Sequence, residues 1–165
     1  MKPFNRQGML WATVGAALMF AGFASAAPTP LEAQVVALIN GARAAGRSCP
    51  GGGGGQRLAP VILDARLNAA AREHAANMGA GGYISHFEPD GASPATRVKR
   101  VGFKPTFMSE IIYMHSLIGQ IPSSPVNWWL NSPVHCRAIM NPTYSLTGVG
   151  YSTLGKSWTV LLAAR

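Results

Sequence analysis

Two histidines in this chain follow turn-forming residues and lie outside any long apolar helical pattern. His86 is part of the segment S-H-F-E-P-D-G at 85 to 91, and His135 is part of S-P-V-H-C-R-A-I-M at 132 to 140. A carboxylate, Glu110, interrupts the otherwise apolar run 107–114. Imidazole and carboxylate side chains can bind a divalent metal such as zinc, and a site in which these three met would leave positions open for water or substrate.

The same residue types can serve other purposes. A carboxylate can orient a histidine as a general base, but a nucleophile must then lie within reach. Ser85 and Ser109 are the flanking candidates, yet neither is part of a nucleophile-elbow motif. The three side chains could instead form a purely structural polar cluster, because Glu110 would be costly to bury unpaired in an apolar strand. Metal or ligand binding is preferred, and the structural and catalytic alternatives stay open.

The first 26 residues have the features of a secretory signal peptide. Lys2 and Arg6 give a positive start, an uncharged apolar run covers residues 9–23, and A-S-A at 24 to 26 matches a cleavage site. We expect cleavage after Ala26, which leaves one domain, residues 27–165, that is secreted or periplasmic. The alternative is an uncleaved membrane anchor, but the apolar run is short for a full span and contains glycine.

The chain has two cysteines, Cys49 and Cys136. An even number of cysteines behind an export signal predicts a disulfide. Closing so long a loop stabilises a fold by about 4 kcal/mol in the chain-entropy picture. The bond would tie the residue next to His135 to a distant loop. A structural zinc site that uses both thiolates is the alternative, although no C-x-x-C spacing is present.

The charge of the chain is basic but scattered. Removal of residues 1–26 takes Lys2 and Arg6 from the 14 basic residues and leaves all 6 acidic ones, so the net charge falls from +8 to +6. The densest basic group comprises Arg97, Lys99, Arg100 and Lys104. No series of aromatic residues runs through this group, which indicates a solvated helix face and not a nucleic-acid site.

Helical and strand patterns follow one another along the chain. The sequence T-P-L-E at 29 to 32 starts a helix that stops at Gly46, and Asp64 caps a second helix that ends near the glycines at 79–82. His74 lies on the alanine-rich face of that helix, which predicts a hydrogen-bonded core residue. The other predicted elements are a short helix from Ser93-Pro94 to Gly102, a strand at 107–114, a helix from Ser124-Pro125, a helical turn at 133–140, and strands at 144–152 and 158–163. Helices first and strands last favour a layered α+β domain.

Six motifs occur together in a fixed order. They are V-V-A-L-I-N-G-A-R at 35 to 43, A-R-E-H-A-A-N-M at 71 to 78, S-H-F-E-P-D-G at 85 to 91, S-E-I-I at 109 to 112, W-L-N-S-P-V-H-C-R-A-I-M-N-P at 129 to 142, and G-V-G-Y at 148 to 151. In these motifs the chain resembles the CAP superfamily of cysteine-rich secretory proteins, antigen 5 and plant pathogenesis-related proteins, over about residues 33–163. It is most similar to the small bacterial exported branch of the superfamily. In that branch the CAP domain is also called the SCP domain. The resemblance implies a three-layer α-β-α sandwich with a central antiparallel sheet and a cleft beside it.

The resemblance also implies a set of cleft residues. The family's cleft gathers two histidines and one or two glutamates, and His86, Glu110 and His135 match these positions by motif. The second glutamate of animal and plant members falls near Asn131, which is not an acid. The family usually has Gly-Glu-Asn where this chain has S-E-I at 109 to 111, so Glu110 matches less well than the histidines.

These observations predict a function class. We expect a monomeric exported CAP-domain protein whose cleft binds a divalent metal or a small apolar ligand through His86, Glu110 and His135. Sterol and lipid binding are implied by resemblance to some relatives, and an envelope component is the other expected partner. The alternatives are a metal-dependent hydrolase acting on envelope material and a structural or partner-binding protein with no catalytic role. We expect no nucleic-acid partner and no membrane span after signal cleavage.

Overall fold

The computed structural model describes residues 27–165, so the predicted signal peptide lies outside the described residues. The elements in chain order are helix α1 (Pro30–Ala45), strand β1 (Ile62–Leu63), helices α2 (Ala65–Gly81) and α3 (Pro94–Arg100), strand β2 (Phe107–Met114), helices α4 (Ser123–Leu130) and α5 (Pro133–Ile139), and strands β3 (Leu146–Ser152) and β4 (Ser157–Ala164). Within residues 27–165, each helix is too short or too polar to cross a membrane.

The four strands form one sheet in the order β1-β3-β4-β2. Strand β4 pairs antiparallel with both neighbours, with Leu161 opposite Gly148 of β3 and Glu110 of β2. Strand β1 is a two-residue edge strand that runs parallel to β3. The predicted central antiparallel sheet is therefore confirmed. It has one additional parallel strand, β1, which was not predicted because two residues are too few to show a strand pattern.

The sheet separates two hydrophobic cores. Val160 and Leu162 of β4 pack with α1, α4 and α5 on one face, whereas Leu161 and Ala163 pack with α2 and α3 on the other. Alternate residues of a strand point to opposite faces, so a strand covered on both sides is apolar throughout. This arrangement confirms the predicted three-layer α+β sandwich.

Helix α2 lies unusually close to β3 because two glycines make room for it. A Cβ at Gly148 would lie 2.1 Å from the carbonyl carbon of Leu67, and one at Gly150 would lie 2.3 Å from that of Ala71. Both distances are far below van der Waals contact, so any larger residue would push the helix off the sheet. The predicted N-cap of α2 is confirmed, because Asp64 accepts hydrogen bonds from the amides of Arg66 and Leu67.

Two long-range ties hold α5 and the segment after it. The predicted disulfide between Cys49 and Cys136 is present and links residues separated by 87 positions. Buried Arg43 of α1 donates to the carbonyl oxygens of Ile139 at 2.7 Å and Tyr144 at 3.0 Å. The tie to Tyr144 also explains a boundary difference: β3 begins at Leu146 and not at residue 144. Helix α4 likewise begins at Ser123, one residue earlier than predicted.

Candidate functional site

The carboxylate of Glu110 has two close partners. Its Oε1 lies 2.9 Å from Nδ1 of His86, and its Oε2 accepts a hydrogen bond of 2.6 Å from Nη2 of Arg97. Glu110 and Arg97 are both buried, while the side chain of His86 is 45% exposed. The carboxylate therefore joins a buried cation to a histidine at the surface.

Arg97 anchors the loop that carries His86. Its Nη1 donates to the carbonyl oxygens of His86 and Ala92, each at 3.1 Å. Arg97 is fully buried, so its predicted place on a solvated helix face is wrong. The prediction holds for Lys99 and Arg100, which are exposed at the end of α3. The difference arises because α3 is short and places Arg97 against β2, where Glu110 supplies the opposite charge.

A second buried pair supports the same loop from α2. Nε2 of His74 donates to the carbonyl oxygen of Ser85 at 2.8 Å, and its Nδ1 lies 2.7 Å from Oε1 of Glu88. Burial raises the pKa of Glu88, but hydrogen bonds from Tyr83, His74 and Asn77 outweigh burial and lower it. The prediction that His74 is a hydrogen-bonded core residue is confirmed.

His135 lies on α5, in the opposite helical layer from α2 and α3. Its Nδ1 is 2.8 Å from Oγ of Ser132, and its ring centroid is 4.9 Å from that of Trp128. Burial lowers the pKa of His135, and the nearby charge of His86 lowers it further.

The three predicted ligands do not form one preassembled set. Glu110 shares its sheet face with Leu161 and the α2–α3 layer, and its two oxygens are used by His86 and Arg97. His135 approaches from the other layer, and its Nδ1 is used by Ser132. Among residues 27–165, no group of three or more His, Cys, Asp and Glu side chains is arranged to hold a metal ion. Metal binding by His86, Glu110 and His135 together therefore stays a prediction, and the contact of Glu110 with His86 is the part of that set that the structure describes.

Neither flanking serine is placed as a nucleophile for this site. Oγ of Ser85 accepts a hydrogen bond of 3.0 Å from the amide of Phe87, which is two residues further along the loop. Ser109 precedes Glu110 in a regular strand, so its side chain points to the opposite face of the sheet. The geometry gives no support to the serine-based catalytic alternative.

Sequence reasoning missed Arg97 and Glu88 as members of the site. A signal for Arg97 was present, because it lies four residues before the apolar Val101 and so on the same face of the predicted helix. Glu110 also required a cation nearby if it was to be buried. No comparable signal marked Glu88, which contacts His74 of α2, Tyr83, and Arg97 of α3 at 3.5 Å.

The fold and the paired histidines agree with one protein family. Residues 36–163 match the family model for CAP, the Cysteine-rich secretory protein family. The chain therefore belongs to the CAP family, as its six motifs indicated. The match covers the sheet, all but the beginning of α1 and every other helix.

Three similar proteins come from bacteria. The uncharacterized protein YkwD of Bacillus subtilis (strain 168) is 32% identical over 104 residues, which are 63% of this chain and 39% of that protein. The chain thus spans about two fifths of the length of this curated relative. An extracellular SCP-domain protein of Bacillus anthracis str. Ames superposes with a TM-score of 0.70 at 19% identity, covering 85% of this chain and 45% of that one. An outer surface protein of Borrelia burgdorferi gives a TM-score of 0.61 at 22% identity, covering 82% of this chain and 90% of that one.

The similar structures share the fold of this chain, and their descriptions state where those relatives are located. The two solved structures are below 25% identity, so they show the shared fold alone. One of them is described as an extracellular protein and the other as an outer surface protein. The disulfide between Cys49 and Cys136 is typical of the same oxidising environment.

Proposed function

We propose that this chain is exported, is cleaved after Ala26, and binds a divalent metal such as zinc through His86 and His135. The observation that carries the proposal is the contact of 2.9 Å between Nδ1 of His86 and Glu110. A carboxylate on one ring nitrogen fixes the ring and raises the basicity of the other nitrogen, which is a common arrangement around protein metal sites.

Both histidines use the same ring atom within the protein. Nδ1 of His86 faces Glu110 and Nδ1 of His135 faces Ser132, so each Nε2 has no hydrogen-bond partner among residues 27–165. The lowered pKa of His135 keeps its ring neutral near pH 7, as a metal ligand must be. A bound zinc ion would supply Lewis-acid polarisation to an oxygen-bearing ligand. Glu110 then acts as the group that orients His86.

Titration calorimetry with zinc chloride at neutral pH tests this proposal. We expect binding in the micromolar range, because two imidazoles form a smaller ligand set than the usual three or four. His86→Ala and His135→Ala should each abolish the heat. His115→Ala is the matched control, since His115 is also exposed and lies outside the pair. Absence of heat and of any thermal shift at millimolar zinc would reject metal binding.

A structural role for the cluster is the second candidate, and the burial of Arg97 favours it. Arg97 and Glu110 connect α3, β2 and the loop 85–92 whether or not a metal binds. Under this alternative, His86→Ala with His135→Ala lowers the melting temperature, because the contact of His86 with Glu110 is lost, and zinc shifts the melting temperature of neither protein. The calorimetric experiment distinguishes the two candidates, because only the first requires zinc heat that depends on both histidines.

A further inference from the structure

A groove of about 690 Å³ lies beside the histidine pair, on the side of α4. It is bounded by the end of β2, the segment that follows β2, and the first half of the α4–α5 hairpin. The lining of this groove includes Tyr113, His115, Ser124, Asn127, Trp128 and Asn131. We call this surface the aromatic groove.

Aromatic rings follow one another along the aromatic groove. His115 stacks on Tyr113 with an interplanar angle of 14° and a centroid distance of 6.3 Å. Trp128 lies 5.9 Å from Tyr113 and 4.9 Å from His135. The two adjacent tryptophans differ sharply in role: Trp129 is fully buried and donates from Nε1 to the carbonyl oxygen of Ile112, whereas Trp128 is 50% exposed. Packing accounts for Trp129 but not for a half-exposed indole face at Trp128.

Polar groups in the aromatic groove lack partners within the protein. Among residues 27–165, the side chains of Ser124 and Asn127 and the hydroxyl of Tyr113 have no hydrogen-bond partner. Tyr113 as a whole is only 7% exposed, so the groove is where its side chain reaches the surface. Asn131 differs, because its Nδ2 donates to the carbonyl oxygen of Asn127 at 2.9 Å and its Oδ1 accepts from Arg47 at 3.2 Å. The free groups are donors and acceptors without net charge.

The chemistry of the lining selects among ligand classes. No carboxylate lines the aromatic groove within the described part of the chain, so a cation would find no counter-charge there. An acyl chain would cover the Tyr113 hydroxyl and the Asn127 amide without satisfying them, which is costly. A sugar ring has an apolar C–H face and a rim of hydroxyl groups, and it can satisfy both the indole face and the polar groups.

We propose that the aromatic groove binds an uncharged oligosaccharide, one pyranose ring of which lies on the exposed face of Trp128 while its hydroxyls bond to Asn127 and Tyr113. The site adjoins His135 through Trp128, yet it needs no metal at the histidine pair. Zinc binding and sugar binding can therefore succeed or fail separately. The proposal goes beyond the proposed function by assigning a second site and a ligand class.

Titrations with chitotetraose, cellotetraose and maltotetraose test the proposal, with tryptophan fluorescence and calorimetry as readouts. We expect at least one of the three to bind and to shift the indole emission. Trp128→Ala should weaken that binding by about tenfold or more, which corresponds to about 1.4 kcal/mol, because the apolar face of the sugar loses the ring on which it lies. Asn127→Ala should weaken it severalfold. Phe107→Ala is the matched control, because Phe107 is also an exposed aromatic residue but lies at the other end of β2.

Three results would overturn the proposal. The first is no binding of any of the three sugars at millimolar concentration. The second is sugar binding that Trp128→Ala leaves unchanged while Phe107→Ala weakens it. The third is Trp128-dependent binding of laurate or choline in the absence of sugar binding. Near-ultraviolet circular dichroism of each variant checks its fold, and Trp128→Phe, which keeps an aromatic face, should retain part of the affinity.

Discussion

Arg97 and Glu110 form an ion pair in which Nη2 of Arg97 lies 2.6 Å from Oε2 of Glu110, and both side chains are buried. The pair connects α3 to the edge strand β2, and Arg97 also holds the loop that carries His86. The stability of the fold and the position of His86, the proposed metal-binding residue, therefore depend on the same two side chains.

Glu110→Gln should destabilise the fold. The amide keeps the shape of the side chain but removes the nearer of the two carboxylates beside the buried guanidinium of Arg97, and Glu88 remains at 3.5 Å. We therefore expect a loss of about 3 kcal/mol in the free energy of unfolding, at the lower end of the cost of breaking a buried pair. Urea denaturation measures the loss. Glu73→Gln is the control, because Glu73 is exposed on α2 and should change stability by less than about 0.5 kcal/mol. Equal midpoints for the two variants would contradict the prediction.

Gly150→Ala should also destabilise the fold, for a steric reason. The added methyl group would lie 2.3 Å from the backbone of Ala71, which requires α2 to move away from β3. Overpacking of this kind costs about 1–3 kcal/mol or more. Gly41→Ala provides the opposite control: nothing lies within 4 Å of its new Cβ, and the position is an exposed helix interior. Thermal denaturation should show stabilisation of about 0.5–1 kcal/mol for Gly41→Ala.

Loss of the disulfide should lower stability by about 4 kcal/mol, because the bond closes a long loop in the unfolded chain. Cys49→Ser with Cys136→Ser measures the effect without a reductant. Dithiothreitol should lower the melting temperature of the original protein to a similar value and leave the double variant unchanged. A reductant effect of equal size in both proteins would show that the disulfide is not the cause.

His135 should titrate below pH 6.5. Burial is the larger cause of the lowered pKa, and the charge of His86 is the second, so His86→Ala should raise the pKa only in part. Because the folded protein disfavours protonation of His135, the unfolded chain binds more protons as the pH falls. The contribution of His135 to stability is therefore complete above pH 6.5 and declines as the pH falls from 6.5 through the folded pKa. Proton NMR of the ring Cε1–H measures both titrations, and a midpoint above 6.5 would refute the prediction.

The parts of the fold that could be predicted from sequence are those with local causes. The capping box of Thr29 and Glu32 and the cap by Asp64 require only a few neighbouring residues, and both are present as predicted. The two residues of β1 gave no periodic signal, and their pairing with β3 depends on residues more than eighty positions away. Local patterns cannot specify such a contact.

The candidate site shows the same division. The family motifs identified His86, Glu110 and His135 as residues of interest, but residue type alone did not reveal which partner each oxygen of Glu110 contacts. One oxygen accepts from Arg97, and this contact depends on how α3 packs against β2. The aromatic groove depends on rings from β2, from the segment that follows β2 and from α4, whose proximity is set by tertiary structure.

Strand β4 lies between β3 and β2, and it is the last of the elements in chain order. When a ribosome or an export channel delivers the chain from its N-terminus, this strand emerges after every element that packs around it. Until then, neither β2 nor β3 has its antiparallel partner, and both hydrophobic cores lack their central residues. The pairing of β2 with β4 joins strands that are far apart in the sequence, and contacts of this kind form slowly. If the chain is exported unfolded, as proposed, this order of arrival postpones compaction of the domain until β4 has followed the other strands and the helices across the membrane.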